Sequence, residues 1–220
     1  MLWIGQFGIV EGEARERTPW VGAFVDRSPG DDAADLYVVV EPALPGSEEF
    51  CGGLTEAIGN VFHQRRASLT GALLRALKAA HYDLHEWNRR SLKEHWVAAG
   101  ASCLALRAHE AYLAQVGPAS AVLYHQGSGS PLALHPTIPD AVEPLGLHDD
   151  FWPHFSRLEL AEGDRLLLLS PTLAGALSPQ ELVAALDSPP DEALPALYRQ
   201  ARSLTNCGAL LVAILPDPSP

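Results

Sequence analysis

The sequence predicts a single α+β domain over residues 1–220, and three observations support this prediction. Apolar, β-branched runs bounded by Gly, Pro and Asp, at residues 21–25 and 36–40, are typical of buried strands. An apolar stripe at helical spacing predicts a long helix over residues 70–96. Three short apolar runs joined by tight links predict an antiparallel meander, at residues 102–107, 111–116 and 121–125.

The two predicted helices of the first half differ in the strength of their patterns. The longer one has a continuous apolar face, formed by Leu73, Leu77, Ala80, Leu84 and Trp87. His81 and His85, four residues apart, are expected on its polar face.

The shorter helix is predicted over residues 54–64, where apolar residues recur at helical spacing. The Gly52-Gly53 pair before it indicates a loop, in which Cys51 is expected to be exposed. Cys103 and Cys207 lie in apolar runs and are expected in the core.

The second half is predicted to contain a long loop, two strands, two helices and a closing strand. The Pro- and Gly-rich residues 127–153 form the loop, and strands follow at residues 158–160 and 164–170. Ser178, with Pro at the next position and Glu three residues later, is a capping box that begins a helix, and Ser188 begins another. Residues 208–215 form the closing strand, and residues 216–220 are expected to be a flexible tail.

Composition and charge exclude several classes of function. The formal net charge of −12 argues against a nucleic-acid-binding surface, because such surfaces require clustered Lys and Arg. No apolar run approaches the eighteen or so residues of a membrane span, and the first residues do not resemble a signal peptide. We therefore expect a cytoplasmic protein without a nucleic-acid or membrane partner.

Five phrases, in order, carry a resemblance to a known family. They are a strand ending in Glu41-Pro42 and followed by Cys51-Gly52-Gly53, then Gly100-Ala101-Ser102, residues 115–123, residues 163–173 and residues 205–212. In this order the chain resembles the metal-dependent Ser/Thr protein phosphatases of the 2C type over residues 10–215. The resemblance implies a four-layer α-β-β-α sandwich, with two antiparallel sheets flanked by helix pairs.

The same resemblance indicates that the metal ligands have been lost. The family holds two Mg²⁺ or Mn²⁺ ions through Asp carboxylates, and the paired ions activate a water molecule. The corresponding positions of this chain are Trp20 (within residues 18–20), Glu41 with Pro42, Pro118, Pro171, and Thr205 with Asn206. We therefore expect no catalytic residue and no cofactor, with Glu41 as a weak candidate ligand for Mn²⁺ or Mg²⁺ in the alternative case.

Arg15 corresponds to the family's phosphate-contacting arginine and can bind a phosphate as a bidentate donor. The alternative interpretation is a surface arginine beside Glu11, Glu13 and Glu16.

These observations predict a pseudophosphatase, a regulatory module that binds a protein partner or a phosphoprotein. Two alternatives stay open: a structural subunit of a larger assembly, and a divergent metal-dependent phosphatase that recruited new acids. Candidate acids for the divergent enzyme are Asp26, Asp31, Asp32, Asp149 and Asp150. A separate metal hypothesis concerns the loop cluster of His148, Asp149, Asp150 and His154.

Overall fold

The computed structural model describes residues 1–28, 33–64, 68–107, 110–134 and 143–216. Within these ranges the chain forms eleven strands, five α-helices and one short 3₁₀ helix. Its contacts divide the chain into two compact units, the first comprising Met1–Thr18, Ser120–Leu134 and Leu160–Pro220 and the second Pro19–Ala119 and His135–Glu159.

The first unit contains a six-stranded antiparallel sheet. Its strands are β1 (Leu2–Val10), β2 (Glu13–Arg15), β7 (Ser120–His125), β8 (Leu132–Leu134), β10 (Asp164–Leu169) and β11 (Cys207–Ile214). They are arranged in the order β2-β1-β11-β10-β7-β8, so β1 and β11 are hydrogen-bonded neighbours.

Three helices belong to the first unit: α3 (Pro171–Ala176), α4 (Pro179–Asp187) and α5 (Pro190–Ala201). A capping box at Ser178 begins α4, as the sequence predicts. Helix α5 packs on β1 and β11. Its buried face, with Leu194 and Leu197, joins a core that includes Leu211 of β11.

The second unit contains a five-stranded antiparallel sheet. Its strands are β3 (Val21–Phe24), β4 (Asp35–Pro42), β5 (Ala99–Arg107), β6 (Glu110–Val116) and β9 (His154–Leu158), in the order β3-β4-β5-β6-β9. Of the three strands predicted to form one meander, only β5 and β6 pair with each other. The prediction is wrong for the third strand, β7, which belongs to the sheet of the other unit.

Two long helices, α1 (Glu48–His63) and α2 (Leu69–Arg90), pack on one face of this second sheet. Gly22 of β3 identifies the covered face, because a Cβ atom there would lie 2.7 Å from Thr55 of α1. Side chains alternate between the faces of a strand, so residues of opposite parity lie on the other face. The prediction of an α+β fold with two antiparallel sheets and helices is confirmed.

The prediction of a loop at Gly52-Gly53 is wrong, since α1 begins at Glu48 and includes both glycines. Cys51 is consequently fully buried, where an exposed side chain was expected. The small residue at position 52 is needed for packing, because a Cβ atom there would lie 2.8 Å from the Cβ of Pro19.

The predicted extent and polar face of α2 also require correction. The helix ends at Arg90. The following segment turns back toward the helix, where the Asn88 side chain hydrogen-bonds both the N–H and the carbonyl of Val97. His81 is 1% exposed rather than on the polar face, and its ring stacks on Phe151 at 4.6 Å. Trp87, expected in the apolar face, is half-exposed.

Four elements fall outside the sequence prediction: β1, β2, β8 and α3. The strand expected at residues 158–160 is β9, which covers His154–Leu158. The flexible tail was predicted at residues 216–220, of which residues 217–220 lie outside the described part of the chain. The single-domain prediction stays a prediction.

Candidate functional site

The predicted site positions are distributed over both units, and each group is described within its own unit. In the second unit, Glu41 and Pro42 end β4 and pair with Gly100 and Ala99 of β5. Trp20 lies beside them, because its carbonyl accepts a hydrogen bond from Val40 N at 2.8 Å. These positions therefore converge at one end of the sheet.

Pro118 lies at the same end as Glu41. A Cβ atom on Gly100 would be 2.1 Å from the Pro118 carbonyl oxygen, so that oxygen covers the glycine paired with Glu41. Gly117 has a φ of +65°, which favours glycine and lets the turn before Pro118 approach β5 closely. The structure thus brings Trp20, Glu41, Pro42 and Pro118 together at this end of the sheet.

The Glu41 carboxyl is 8% exposed, which alters its chemistry. Burial raises the pKa of the Glu41 carboxyl to about 8, and no hydrogen bond or charge from the described residues opposes the shift. The neutral acid therefore predominates at pH 7. Burial, together with Glu41 and Glu48, also raises the pKa of the neighbouring Cys51 thiol to about 12, so this cysteine is not an activated nucleophile.

Trp20 occupies the region where the family's first metal-binding acid is expected. Its indole is 4% exposed and donates a hydrogen bond to the Glu48 carbonyl, at 3.3 Å, in the first turn of α1. A buried aromatic ring supplies no oxygen ligand, so this position contributes packing rather than metal binding.

In the first unit, Pro171 is the first residue of α3 and follows the capping residue Ser170. The Ser170 hydroxyl accepts hydrogen bonds from Leu173 N at 3.3 Å and Gly208 N at 3.4 Å. Pro171 is thus held beside the start of β11 but has neither a side-chain oxygen nor a backbone N–H.

Thr205 and Asn206, just before β11, hold the turn between β1 and β2. The Thr205 carbonyl accepts from Gly12 N at 2.8 Å, and Asn206 Oδ1 accepts from Glu11 N at 2.9 Å. Both turn residues have positive φ, as the two-residue turn of a twisted hairpin requires. The Asn206 side chain therefore has a structural role in this hairpin.

Arg15 lies on β2, where its guanidinium is 3.4 Å from the Glu13 carboxylate. Its side chain is 53% exposed, so this ion pair is weak and exchangeable. Arg15 also lines a cleft of about 340 Å³ within the first unit. The other principal lining residues are Gln6, Phe7, Leu194, Pro195 and Tyr198.

Comparison with solved structures identifies the fold. A serine/threonine phosphatase of S. agalactiae superposes with a TM-score of 0.78 at 15% identity, covering 97% of this chain and 100% of that one. Stp1 of Staphylococcus aureus gives 0.79 at 16% identity, covering 98% and 96%. PstP/Ppp of Mycobacterium tuberculosis gives 0.71 at 14% identity, covering 98% and 99%. The chain has the phosphatase-2C fold.

No family model matches this sequence, and no curated protein matches it either. The likeness therefore lies in the three-dimensional structure, which establishes the fold of this phosphatase-2C-like chain and leaves its activity open. In the described part of the chain, no helix is long and apolar enough to cross a membrane.

The donor set of this phosphatase-2C fold does not fit a pair of divalent cations. Two such ions need several carboxylates to offset their charge, whereas the positions that the sequence resemblance assigns to the ligands carry Trp, Pro, Thr and one buried Glu. Over the described ranges, no three His, Cys, Asp or Glu side chains come close enough to hold a metal ion.

The alternative acids and the histidine loop have other contacts. Asp26 accepts from Ser28 N at 2.9 Å, and hydrogen bonds from the Ser28 side chain and backbone lower the pKa of this exposed carboxyl. Asp149 lies 3.3 Å from His85, while His154 lies on β9 opposite Gln115. Asp31 and Asp32 lie outside the described residues.

Sequence reasoning missed three buried polar side chains. Thr18, Ser102 and Gln115 are 6%, 1% and 1% exposed, and each has side-chain atoms without a hydrogen-bond partner among the described residues. The available signal was a polar residue inside an otherwise apolar strand pattern, as at Ser102 and Gln115.

Proposed function

We propose that this chain is a catalytically degenerate phosphatase-2C-like domain that acts as a regulatory module by binding a phosphorylated segment of a partner protein. The observation that carries the proposal is the chemistry of the ligand positions. Where the family places metal-binding carboxylates, this chain has Trp20, Pro118, Pro171 and Thr205. The remaining acid, Glu41, is buried and has a pKa of about 8.

Electrostatics argue against the family's hydrolytic reaction in this chain. Two divalent ions bring four positive charges together, and activation of water depends on both ions being held. One carboxyl that is largely neutral at pH 7 cannot offset that charge. We therefore expect neither a two-metal centre nor metal-dependent hydrolysis.

Arg15 supports the binding of a phosphoryl group. A guanidinium binds phosphate through two parallel hydrogen bonds, and its present partner Glu13 is an exposed carboxylate at 3.4 Å. The apolar walls of the adjoining cleft, including Phe7 and Tyr198, can accommodate side chains next to a phosphorylated residue.

Hydrolysis and metal binding are tested together on purified protein. We expect no release of phosphate from para-nitrophenyl phosphate or from phosphopeptides with Mn²⁺ or Mg²⁺, and no calorimetric signal for two tightly bound Mn²⁺ ions. Mn²⁺-dependent turnover that Glu41→Gln abolishes would overturn the proposal. That result would favour the divergent metal-dependent phosphatase, for which Glu41 is the retained ligand.

Binding is tested by fluorescence anisotropy with pools of phosphoserine and phosphothreonine peptides and matched unphosphorylated pools. Arg15→Gln should remove the preference for phosphorylated peptides, and Glu13→Gln should strengthen it by freeing the guanidinium. Arg89→Gln is the control, since Arg89 is an exposed arginine that also pairs with a glutamate. Equal binding of both pools by the wild-type protein would refute the phosphopeptide function.

The partner and the cellular location are further parts of the proposal. The net charge of −12 disfavours polyanions such as nucleic acids and is compatible with a basic segment around the phosphorylated residue. We infer a cytoplasmic location. Capture of phosphorylated partners by wild-type protein, but not by Arg15→Gln, followed by fractionation of the host cell, tests both parts.

A further inference from the structure

The second unit contains a polar pair inside its sheet that the proposed function does not use. Ser102 of β5 and Gln115 of β6 are directly opposite each other in the register, and each is 1% exposed. Opposed residues of an antiparallel pair project from the same face of the sheet. The two side chains are therefore neighbours in a buried environment.

This polar pair is on the face of the sheet that α1 and α2 do not cover. Gly22 faces α1, and Val38 is opposite Gly22, so both residues lie on the covered face. Val39 follows Val38 on β4 and therefore projects from the other face, together with Ser102 opposite it. Ser102 and Gln115 accordingly share the face that carries Glu41, which is two residues beyond Val39 on β4.

Three polar groups of this pair have no hydrogen-bond partner among the described residues. They are the Ser102 hydroxyl, the Gln115 carbonyl oxygen and the Gln115 amide nitrogen. Exchanging the oxygen and nitrogen of the Gln115 amide does not help, because both ends lack a partner. Burying a polar group without a hydrogen-bond partner is unfavourable, so three such groups in one place demand a compensating ligand.

The chemistry of the three groups selects the ligand. The Gln115 carbonyl and the Ser102 lone pairs need a donor, whereas the Gln115 NH₂ needs an acceptor. An ion of either sign can satisfy only one of these requirements, while a water molecule both donates and accepts. Other orphan polar atoms, such as His81 Nε2 and Trp96 Nε1, are not cross-strand neighbours of this pair.

We propose that Ser102 and Gln115 bind one or more ordered water molecules, which bridge the two side chains. A buried water molecule typically makes about three hydrogen bonds, which matches the number of orphan groups. This inference is independent of whether the chain binds a phosphorylated partner or hydrolyses a phosphoester.

The test counts long-lived internal water molecules by ¹⁷O magnetic relaxation dispersion. The double variant Ser102→Ala, Gln115→Met keeps the approximate side-chain volumes but removes all three polar groups. It should have at least one long-lived water molecule fewer than the wild type. Gln180→Met, at an exposed position on α4, is the matched control and should leave the count unchanged.

A wild-type crystal structure provides the second measurement and covers the case in which the double variant does not fold. Solvent density within hydrogen-bond distance of Ser102 Oγ and Gln115 supports the proposal. A direct Ser102–Gln115 hydrogen bond without solvent density would overturn it. Equal water counts in the wild type and a folded double variant would also overturn it.

Discussion

Replacing Glu41 by glutamine removes an ionisable group from a buried position and nearly preserves its shape. The carboxyl is 8% exposed, and burial raises its pKa to about 8 from the ordinary value of 4.5. The folded protein therefore keeps the proton over a pH range in which the unfolded chain has already released it.

The sign of the effect follows from proton binding. Between pH 4.5 and pH 8 the folded state binds more protons at this site than the unfolded state, so stability falls as the pH rises. One pKa unit corresponds to about 1.4 kcal/mol, so the complete shift corresponds to about 5 kcal/mol. The amide of Glu41→Gln has no such dependence, and the variant should gain stability over the wild type as the pH rises.

The assay is urea unfolding, followed by tryptophan fluorescence, at half-unit intervals from pH 4.5 to pH 8.5 in the presence of EDTA. The wild type and Glu41→Gln should have similar free energies of unfolding near pH 4.5. The variant should be more stable by about 3 kcal/mol at pH 7 and by up to about 5 kcal/mol above pH 8. Subtracting the free energy of unfolding of the wild type from that of the variant at each pH cancels the contributions from the titration of every other group.

Glu94→Gln, at an exposed position, is the matched control and should show no such increase. A constant difference between Glu41→Gln and the wild type over the whole range would refute the reasoning. It would mean that the carboxyl ionises normally in the folded protein, so that an ionised Glu41 could bind a cation at pH 7.

Three further substitutions test the packing and hydrogen bonding around the site by denaturant unfolding. Gly100→Ala should destabilise the fold by about 3 kcal/mol, because the new methyl group would meet the Pro118 carbonyl at 2.1 Å. Gly53→Ala, where the new methyl group meets open space, should stabilise the fold slightly. Equal changes in the free energy of unfolding for the two variants would contradict the close approach at Gly100. Asn88→Ala should lower the free energy of unfolding by about 3 kcal/mol, since three hydrogen bonds to buried backbone groups are lost. A decrease below about 1 kcal/mol would contradict this role of Asn88. Arg165→Met should lower the free energy of unfolding by about 3 kcal/mol, because the buried guanidinium donates hydrogen bonds to two carbonyls at the end of α4. An unchanged midpoint of denaturant unfolding would contradict this prediction.

The local sequence pattern predicted the helices correctly where the apolar periodicity agrees with the packing in the fold. The stripe of Leu73, Leu77 and Leu84 predicted α2, and these residues are buried. The capping box at Ser178 predicted the start of α4 because its hydrogen bonds are local in sequence.

Tertiary contacts account for the main errors. Gly52-Gly53 resembles a loop, yet α1 needs a small residue where it meets Pro19. Gly5 and Gly8 interrupt the pattern of β1, but they make room for Leu194 of α5 and for Thr18. These requirements come from residues that are distant in sequence or that cross a sheet, which a local pattern does not record.

The sequence predicted candidate positions for the site but not the environment of their side chains. The phrases of the resemblance identified Trp20, Glu41 and Pro118, which the structure brings to one end of the second sheet. The sequence does not reveal that Glu41 is buried or that the Asn206 amide holds a hairpin turn. Both properties depend on how several strands pair, which is a property of the whole fold.

Because β11 lies between β1 and β10, the sheet of the first unit cannot be completed until residues 207–214 have left the ribosome. The β1–β2 hairpin precedes β11 by almost 200 residues, so it must wait with an unpaired strand edge until β11 emerges. Strands β3 to β6 of the second unit are all available once residue 116 has emerged. Nascent chains should therefore form the second unit first and be most vulnerable to aggregation through the waiting edge of β1.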